Sequence, residues 1–499
     1  MPENTKKIYI HALGCKTNQY EAEAVAAGFA ELGYGLTEDA STADVCIINT
    51  CTVTGEAGRK SRQFLRRARK ENPEAVLVAM GCHSQLEDIG DICDIVTGTS
   101  DRAQIIDAVG EYLRVRDGFP AENTDTAEAV EVSAVHPTAT PSNDREYEEL
   151  GLNLNQTETR AQIKIQDGCN QFCAYCAICL ARGRVRSRER EPILAEAKAL
   201  AVKGHREIVL TGIHICSFEA DKGRDATALV ELIEQLAAID GIERVRLGSL
   251  EPGSLTPEVT RRLMKIDKLC PHFHISLQSG SDTVLARMRR QYTAAEYADA
   301  VRRIRAFVPD AAFTTDVMVA FPGETEEEHR ESMRFIESIA FARIHVFRFS
   351  PRQGTPAARM RQVPGEISAR RAAEADAVGR RMTREYLKQF IDKPLRVLLE
   401  TPSDLFGETA AEAGESADGN TADALAANVF PKVKTAFPEL SPGDFIAVEG
   451  YSDRYIRVVC LLPAGTDRKA GDSVTVAADG IVGDRVVGHV LPRGDGTPD

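Results

Sequence analysis

The chain has 499 residues, 43% of them hydrophobic and 27% charged, with twelve cysteines and a formal net charge of -14. So long a chain exceeds a single core and predicts about three domains, and the composition excludes a disordered or fibrous protein. No apolar run approaches the roughly 20 residues that span a bilayer, and the short apolar run ending near Leu13 reads as a strand rather than a secretory segment, so a cytoplasmic protein is expected. Cysteines in a reducing compartment do not form a disulfide scaffold; where they cluster they point to metal. The acidity is local. Residues 117–159 hold about ten acids and one base, and residues 403–428 about six acids and no base. The rest of the chain is near neutral with basic clusters, so the net charge does not exclude a nucleic-acid substrate.

Residues 1–116 alternate between strand-length apolar runs (7–13, 44–49, 75–80, 96–98) and helical periodicity (18–32, 56–70, 102–115). The alternation predicts a doubly wound parallel sheet with both faces covered. Residues 117–158 lack periodicity and read as an acidic linker. Residues 159–391 alternate again, with strands expected at 161–166, 207–211, 244–249, 272–277, 314–320 and 344–349 and helices such as 193–203, 227–238 and 293–307. Six such units predict a partial (β/α)6 barrel whose functional loops follow the strand C-termini. Residues 392–499 change class: short strands at 395–399, 445–450, 455–462, 473–478 and 485–491 predict a small β-barrel, interrupted by an acidic insert at about 403–428. The expectation is an α/β multidomain protein.

The densest chemical signal is Asp167-Gly168-Cys169-Asn170-Gln171-Phe172-Cys173-Ala174-Tyr175-Cys176. Cys169, Cys173 and Cys176 in C-x3-C-x2-C spacing can hold three corners of one iron–sulfur cube and leave the fourth iron open. Zinc sites use four ligands in paired hooks, a different pattern. Cys179 adds a fourth thiol at C-x2-C spacing that could close the cluster and remove the open iron; it is read as a spectator near the site. Cys15, Cys51 and Cys82 each follow a predicted strand of the first domain. Parallel strands end on one edge, so these three could converge there as a second site; the plain alternative is reduced thiols lining a sheet edge. Cys46 and Cys93 read as core, and Cys216, Cys270 and Cys460 as structural.

These residues together resemble the radical S-adenosylmethionine (SAM) methylthiotransferases. Supporting stretches are Gly14-Cys15-Lys16-Thr17-Asn18, Asn49-Thr50-Cys51-Thr52-Val53, Ser276-Leu277-Gln278-Ser279-Gly280-Ser281 and Phe321-Pro322-Gly323-Glu324-Thr325. The run from Ala181 to Arg188, Leu210-Thr211-Gly212-Ile213-His214 and Glu449-Gly450-Tyr451 are similar to the branch acting on threonylcarbamoyladenosine in tRNA. One departure is Ala177-Ile178-Cys179-Leu180, where the family usually carries Ile-Ile-Pro-Tyr. The resemblance implies two [4Fe-4S] clusters, on Cys169, Cys173 and Cys176 and on Cys15, Cys51 and Cys82, with SAM as cofactor and the last domain a TRAM domain. It implies methylthiolation of adenine C2 next to the anticodon. SAM would be cleaved to a radical that takes the C2 hydrogen, the second cluster would present the sulfur, and a second SAM would supply the methyl group.

Tyr175, Gly212, Ser249, Glu251 and Gln278 are then candidates for holding SAM. Arg182, Arg184, Arg186, Arg188 and Arg190 alternate beside the cluster motif, and on a strand would share one face suited to phosphate contacts. Arg287, Arg289 and Arg290 form a weaker basic cluster, and Asp316 could orient a substrate group. The partners implied are a tRNA anticodon stem-loop and an electron donor such as a flavodoxin or ferredoxin, with no membrane and no reading of oligomeric state. The alternatives are the branches acting on isopentenyladenosine in tRNA or on a ribosomal-protein aspartate. From another class, the alternative is a non-catalytic iron–sulfur RNA-binding protein.

Overall fold

The computed structural model describes residues 5–118, 146–154, 156, 158–403, 432 and 445–491. Most of the expected acidic linker and nearly all of the expected insert at 403–428 therefore lie outside the described residues. The first domain is a five-stranded parallel sheet of β1 (Lys7–Ala12), β2 (Gly35–Thr37), β3 (Val45–Thr50), β4 (Val76–Gly81) and β5 (Ile95–Val96), in the order β2-β1-β3-β4-β5. Its inner strands β3 and β4 are largely apolar and buried at every position because both faces are covered. Val45 and Ile47 of β3 pack with Val25, Phe29, Ile105 and Val109 from the helices Lys16–Glu31 and Gln104–Arg116. Cys46 and Ile48 point the other way, onto Leu65 and Ala68 of the helix Gly55–Glu71. This is the doubly wound arrangement expected. Neighbours β1, β3 and β4 all end on one edge, and Cys15, Cys51 and Cys82 follow them.

The central domain starts with β6 (Arg160–Asp167) and continues through β7 (Arg186–Ser187), β8 (Glu207–Gly212), β9 (Arg244–Leu247), β10 (His272–His274), β11 (Ala312–Val319) and β12 (Arg343–Arg348). Strands β6, β8 and β9 pair in parallel, as do β10, β11 and β12. The bridges Val245↔Leu269 and Leu250↔Ile275 stitch the two sets into one arc of six parallel strands. Only the short β7 is antiparallel, on the outer edge of β6. The arc is a partial (β/α)6 barrel, filled by Ile163, Ile165, Leu210, Val245, Phe273, Phe313 and Val317 under the outer helices. After the helix Gly365–Lys388, β13 (Pro394–Pro402), β14 (Phe445–Ser452), β15 (Arg457–Pro463), β16 (Ser473–Val482) and β17 (Arg485–Val490) close a small barrel in the order β13-β14-β15-β17-β16. Val397, Val458, Cys460 and Val476 fill it.

The described acids at the end of the expected linker make specific contacts. Glu148 accepts from Arg102 Nε at 2.8 Å and Glu149 from Arg188 Nε at 2.8 Å. Acids placed there by composition alone are counter-ions for buried arginines.

Candidate functional site

The loop after β6 is drawn tight around its cysteines. Asp167 Oδ1 accepts from the Gly168 amide at 2.7 Å, and Cys169 N donates to the Gly183 carbonyl at 3.1 Å. Gly168 sits at φ +71, and a Cβ there would lie 1.8 Å from the Arg184 carbonyl oxygen, so only glycine fits. Cys169, Cys173 and Cys176 lie within electrostatic reach of one another, and so does Cys179. Amides point at two of the sulfurs: Gln171 N to Cys169 Sγ at 3.4 Å, and Ile178 N to Cys176 Sγ at 3.5 Å. Arg290 Nη1 donates to Cys173 Sγ at 3.1 Å and its Nη2 to Glu251 at 2.5 Å. Burial pushes the Cys169 thiol up to about 11. Cys179 is the second residue of the short helix Ile178–Arg182, and its Sγ turns back to the Cys176 carbonyl at 3.8 Å.

The second triplet forms at the edge of the first sheet. Asn18 Nδ2 donates to the carbonyls of Leu13 at 2.9 Å and Thr50 at 3.0 Å, tying the ends of β1 and β3 together. Gly14, at φ +99, lies so close under Cys51 that an added Cβ would meet its Sγ at 2.4 Å. Cys15 and Cys51 both lie within electrostatic reach of Cys82, whose thiol burial pushes up to about 12. Arg182 Nε donates to Cys82 Sγ at 3.2 Å.

Between the three domains lies a chamber of about 730 Å³, within the range of small-molecule sites. Cys15, Lys16 and Thr17 line it from the first domain; Gly212, Ser249, His274, Asp316 and His345 from the central barrel; and Tyr451, Tyr455 and Arg457 from the last barrel. One wall is strongly polar. His272 and His274 both bond Thr314 Oγ1, at 3.1 and 3.0 Å, and His274 Nε2 is 3.5 Å from Asp316. Burial pushes His272 and His345 below the ordinary histidine range, so both are neutral at physiological pH. The His272 ring lies 4.8 Å from that of Tyr455, which in turn stacks on Tyr451 with centroids 4.9 Å apart. Lys16, Arg160 and Arg246 all lie over the Tyr455 ring.

The central residues 163–336 match the model of the radical SAM superfamily, and residues 7–96 match that of the uncharacterized protein family UPF0004. The threonylcarbamoyladenosine tRNA methylthiotransferase MtaB of Bacillus subtilis is 39% identical over 81% of this chain and 86% of its own length. Its namesake from Thermotoga maritima is 34% identical over 79% and 87%. The tRNA-2-methylthio-N(6)-dimethylallyladenosine synthase of Acetivibrio thermocellus is 31% identical over 79% and 81%. The chain belongs to the radical SAM methylthiotransferases. The fold also matches a solved radical SAM methyltransferase, TsrM from Kitasatospora setae, with TM-score 0.53 and 16% identity over 71% of this chain and 77% of that one.

Methylthiotransferases of this family use SAM and iron–sulfur clusters, and the donor sets here fit them. Both triplets are all-thiol, which suits iron–sulfur chemistry rather than hard cations. Among the described residues no three His, Cys, Asp or Glu side chains close in tightly enough for a single metal ion; a cube spreads its thiolates farther apart than one ion does. The amide and guanidinium donors on Cys82, Cys169, Cys173 and Cys176 are those that stabilise ligating thiolates.

The expected SAM residues divide. Gly212 and Ser249 line the chamber. Glu251 stands beside the cluster loop through Arg290, and burial raises its carboxyl above the ordinary range despite that partner. Tyr175 packs on the apolar group of Ala174, Met288 and Phe321. Gln278 sits at φ +68, with its amide donating to the Asp316 carbonyl.

The five arginines do not form one solvent-facing row, because a helix end, a two-residue strand and a helix start break the run. Arg182 and Arg188 are fully buried and Arg186 nearly so. Arg188 binds Glu149, Glu196 and Tyr20, and Arg190 binds Glu219. Only Arg184 is exposed, lying over the Phe172 ring at 4.9 Å. In the weaker cluster Arg287 pairs with Glu328 and Arg290 serves Cys173, leaving Arg289 exposed. Sequence reasoning missed the chamber residues Lys16, His274, His345 and Tyr455. Lys16 was within reach, standing next to a candidate cluster cysteine. The others carry no local motif.

Proposed function

We propose that this chain methylthiolates C2 of threonylcarbamoyladenosine next to the anticodon of tRNA, in the cytoplasm. The observation that carries the choice of branch is the polar chamber wall of His274, Thr314, Asp316 and His345. An isopentenyl group would cover these polar side chains without bonding them, whereas a carbamoylthreonyl group offers a urea, a hydroxyl and a carboxylate to bond them. The names of the Bacillus subtilis and Thermotoga maritima relatives support the same substrate.

When bound, an open-iron [4Fe-4S] cluster with SAM supplies the radical hydrogen abstraction that an unreactive C2–H requires, and a second cluster supplies sulfur. In this reading Cys169, Cys173 and Cys176 hold the first and Cys15, Cys51 and Cys82 the second. Arg290 keeps Cys173 and Glu251 in fixed relation. Gly212 and Ser249 shape the part of the chamber nearest β8 and β9. Arg343 at the mouth pairs with Asp484 at 3.3 Å, both about half exposed. So solvated a pair yields to a substrate carboxylate or phosphate at little cost. Arg184 is the member of the arginine row left for RNA. An electron donor of the flavodoxin or ferredoxin class completes the reaction.

The test is anaerobic turnover of reconstituted protein on three otherwise identical tRNAs, carrying threonylcarbamoyladenosine, isopentenyladenosine or plain adenosine, read by nucleoside mass spectrometry. Methylthiolation of the first alone is expected. Preferential modification of the isopentenyl tRNA would overturn the branch, and deoxyadenosine release with none modified would overturn the tRNA reading.

A further inference from the structure

Arg182 was placed by its spacing among phosphate-binding arginines, and its surroundings give it other work. The side chain has 0% exposure. Nε donates to Cys82 Sγ at 3.2 Å. Nη1 donates to Glu21 Oε1 at 2.7 Å and Asp167 Oδ1 at 3.0 Å. Nη2 donates to Asn18 Oδ1 at 2.9 Å and Glu21 Oε2 at 3.1 Å. All five N–H groups of the fork are thus satisfied inside the protein. The partners are the cluster elements themselves. Asn18 Oδ1 also accepts from Cys15 Sγ at 3.6 Å. Asp167 also accepts from the amide of Gly168, the residue before Cys169.

Among the described residues, Arg102, Lys164 and Arg186 share the carboxylates Glu21, Glu148 and Asp167 with Arg182 in one buried network. Buried charges of this kind hold their positions only while each keeps its partners. Beside its carboxylate and amide partners, the guanidinium gives one N–H to the Cys82 sulfur.

We propose that Arg182 is a positioning residue that holds the second cluster, by its Cys82 corner, in fixed register with the Cys169–Cys176 loop, and that its N–H···S bond raises that cluster's reduction potential. Hydrogen bonds to ligand sulfurs and the net local charge are among the terms that set such potentials. The inference rests on the reading that Cys15, Cys51 and Cys82 hold a cluster. Lysine would keep the charge but lose the fork, since an ammonium is a point donor.

The experiment uses the full-length chain with Cys169, Cys173 and Cys176 all replaced by alanine, so that only the second cluster is reconstituted. Iron content, EPR spectrum and midpoint potential are measured with Arg182 intact, with Arg182→Gln and Arg182→Lys, and with Arg188→Gln as an equally buried arginine that bonds no cysteine. A more negative potential and altered g-values are expected for Arg182→Gln, a smaller change for Arg182→Lys, and none for Arg188→Gln. Fully loaded Arg182 variants with unchanged potential, or equal shifts in the Arg182→Gln and Arg188→Gln proteins, would overturn the proposal. If Arg182→Gln loads no iron, Arg182→Lys decides on the same criteria, and loss of the fold in both assigns Arg182 to stability alone and overturns it. A parent protein that loads no iron would instead sink the two-cluster reading of the function.

Discussion

At Cys179 and along the arginine run, single side chains that look alike in sequence stand in different surroundings. Cys179 Sγ turns to the Cys176 carbonyl, at the start of a helix and one turn past the cluster loop. Three thiolates already satisfy an open-iron cube. Cys179→Ala is therefore expected to keep about four irons at this site and to keep SAM cleavage, while Cys176→Ala loses both; equal loss in the two variants would make Cys179 a ligand. Arg188 and Arg184 separate in the same way. Arg188→Ala strands the buried Glu196, and breaking such a pair costs about 3–5 kcal/mol. Its expected signature is a large drop in the denaturation midpoint. Arg184→Ala should leave stability within about 0.5 kcal/mol and, where its guanidinium meets phosphate, weaken tRNA binding and flatten its salt dependence. Equal stability losses in the two variants would contradict the burial of one and exposure of the other.

At the scale of elements, the strand–helix alternation was legible because inner parallel strands such as β3 and β4 are buried on both faces and so read as nearly unbroken apolar runs. The edge strands β2 and β7, of three and two residues, carry too little pattern to stand out. The arginine row failed for a different reason. Alternation fixes which residues share a side only if the segment is extended, and it says nothing of the acids arriving from elsewhere, here Glu21, Glu149, Asp167, Glu196 and Glu219. The convergence of Cys15, Cys51 and Cys82 was legible as a possibility because strand ends share an edge. What decides it is the adjacency of β1, β3 and β4, which lies in the pairing and not in any local motif. The cluster loop closes through one glycine, and that can be tested. Gly168→Ala imposes both a left-handed φ and a collision with the Arg184 carbonyl, whereas Gly204→Ala, at φ +97 with nothing within 4 Å, imposes the φ strain alone. Such strain costs of order 1–3 kcal/mol. Gly168→Ala is expected to lose its cluster and Gly204→Ala to keep it with a modest loss of stability; matching iron contents would show that the loop tolerates opening.

At the scale of the whole molecule, the chamber exists only where three domains meet, so its chemistry depends on how they are locked. The first domain docks on the barrel through Glu21 and Asp167. Burial alone would raise both carboxyls, but Arg102, Arg182 and Lys164 outweigh it and hold both below the carboxylate range. Carboxyls depressed in the folded state contribute stability that is complete above their unfolded values, near pH 4, and is lost as pH falls further. Docking should thus be flat from pH 7 to about 5 and fail only below about 4, as read by small-angle scattering; loosening already at pH 6 would contradict it.

The last barrel is locked differently. Arg244 donates to the carbonyls of Tyr451 at 3.1 Å and Arg396 at 2.9 Å, and Arg246 to those of Asp453 at 3.0 Å and Ser452 at 3.1 Å. Both are anchored behind by Glu207, which burial would raise but the two arginines hold down. Arg246→Met removes its two bonds to the last barrel, together about 3 kcal/mol or more, and also its two bonds to Glu207, which keeps Arg244 at 3.4 Å. The wall of Tyr451 and Tyr455 then loosens, while the cluster loop, β8 and β9 stay intact. In the proposed reading substrate positioning depends on that wall and SAM binding does not. The variant is therefore expected to form deoxyadenosine from SAM at close to the parent rate while methylthiolation falls at least tenfold and KM for tRNA rises. A proportional loss of both reactions would place the last barrel in the structure of the SAM site itself, and an unchanged KM would remove it from tRNA recognition.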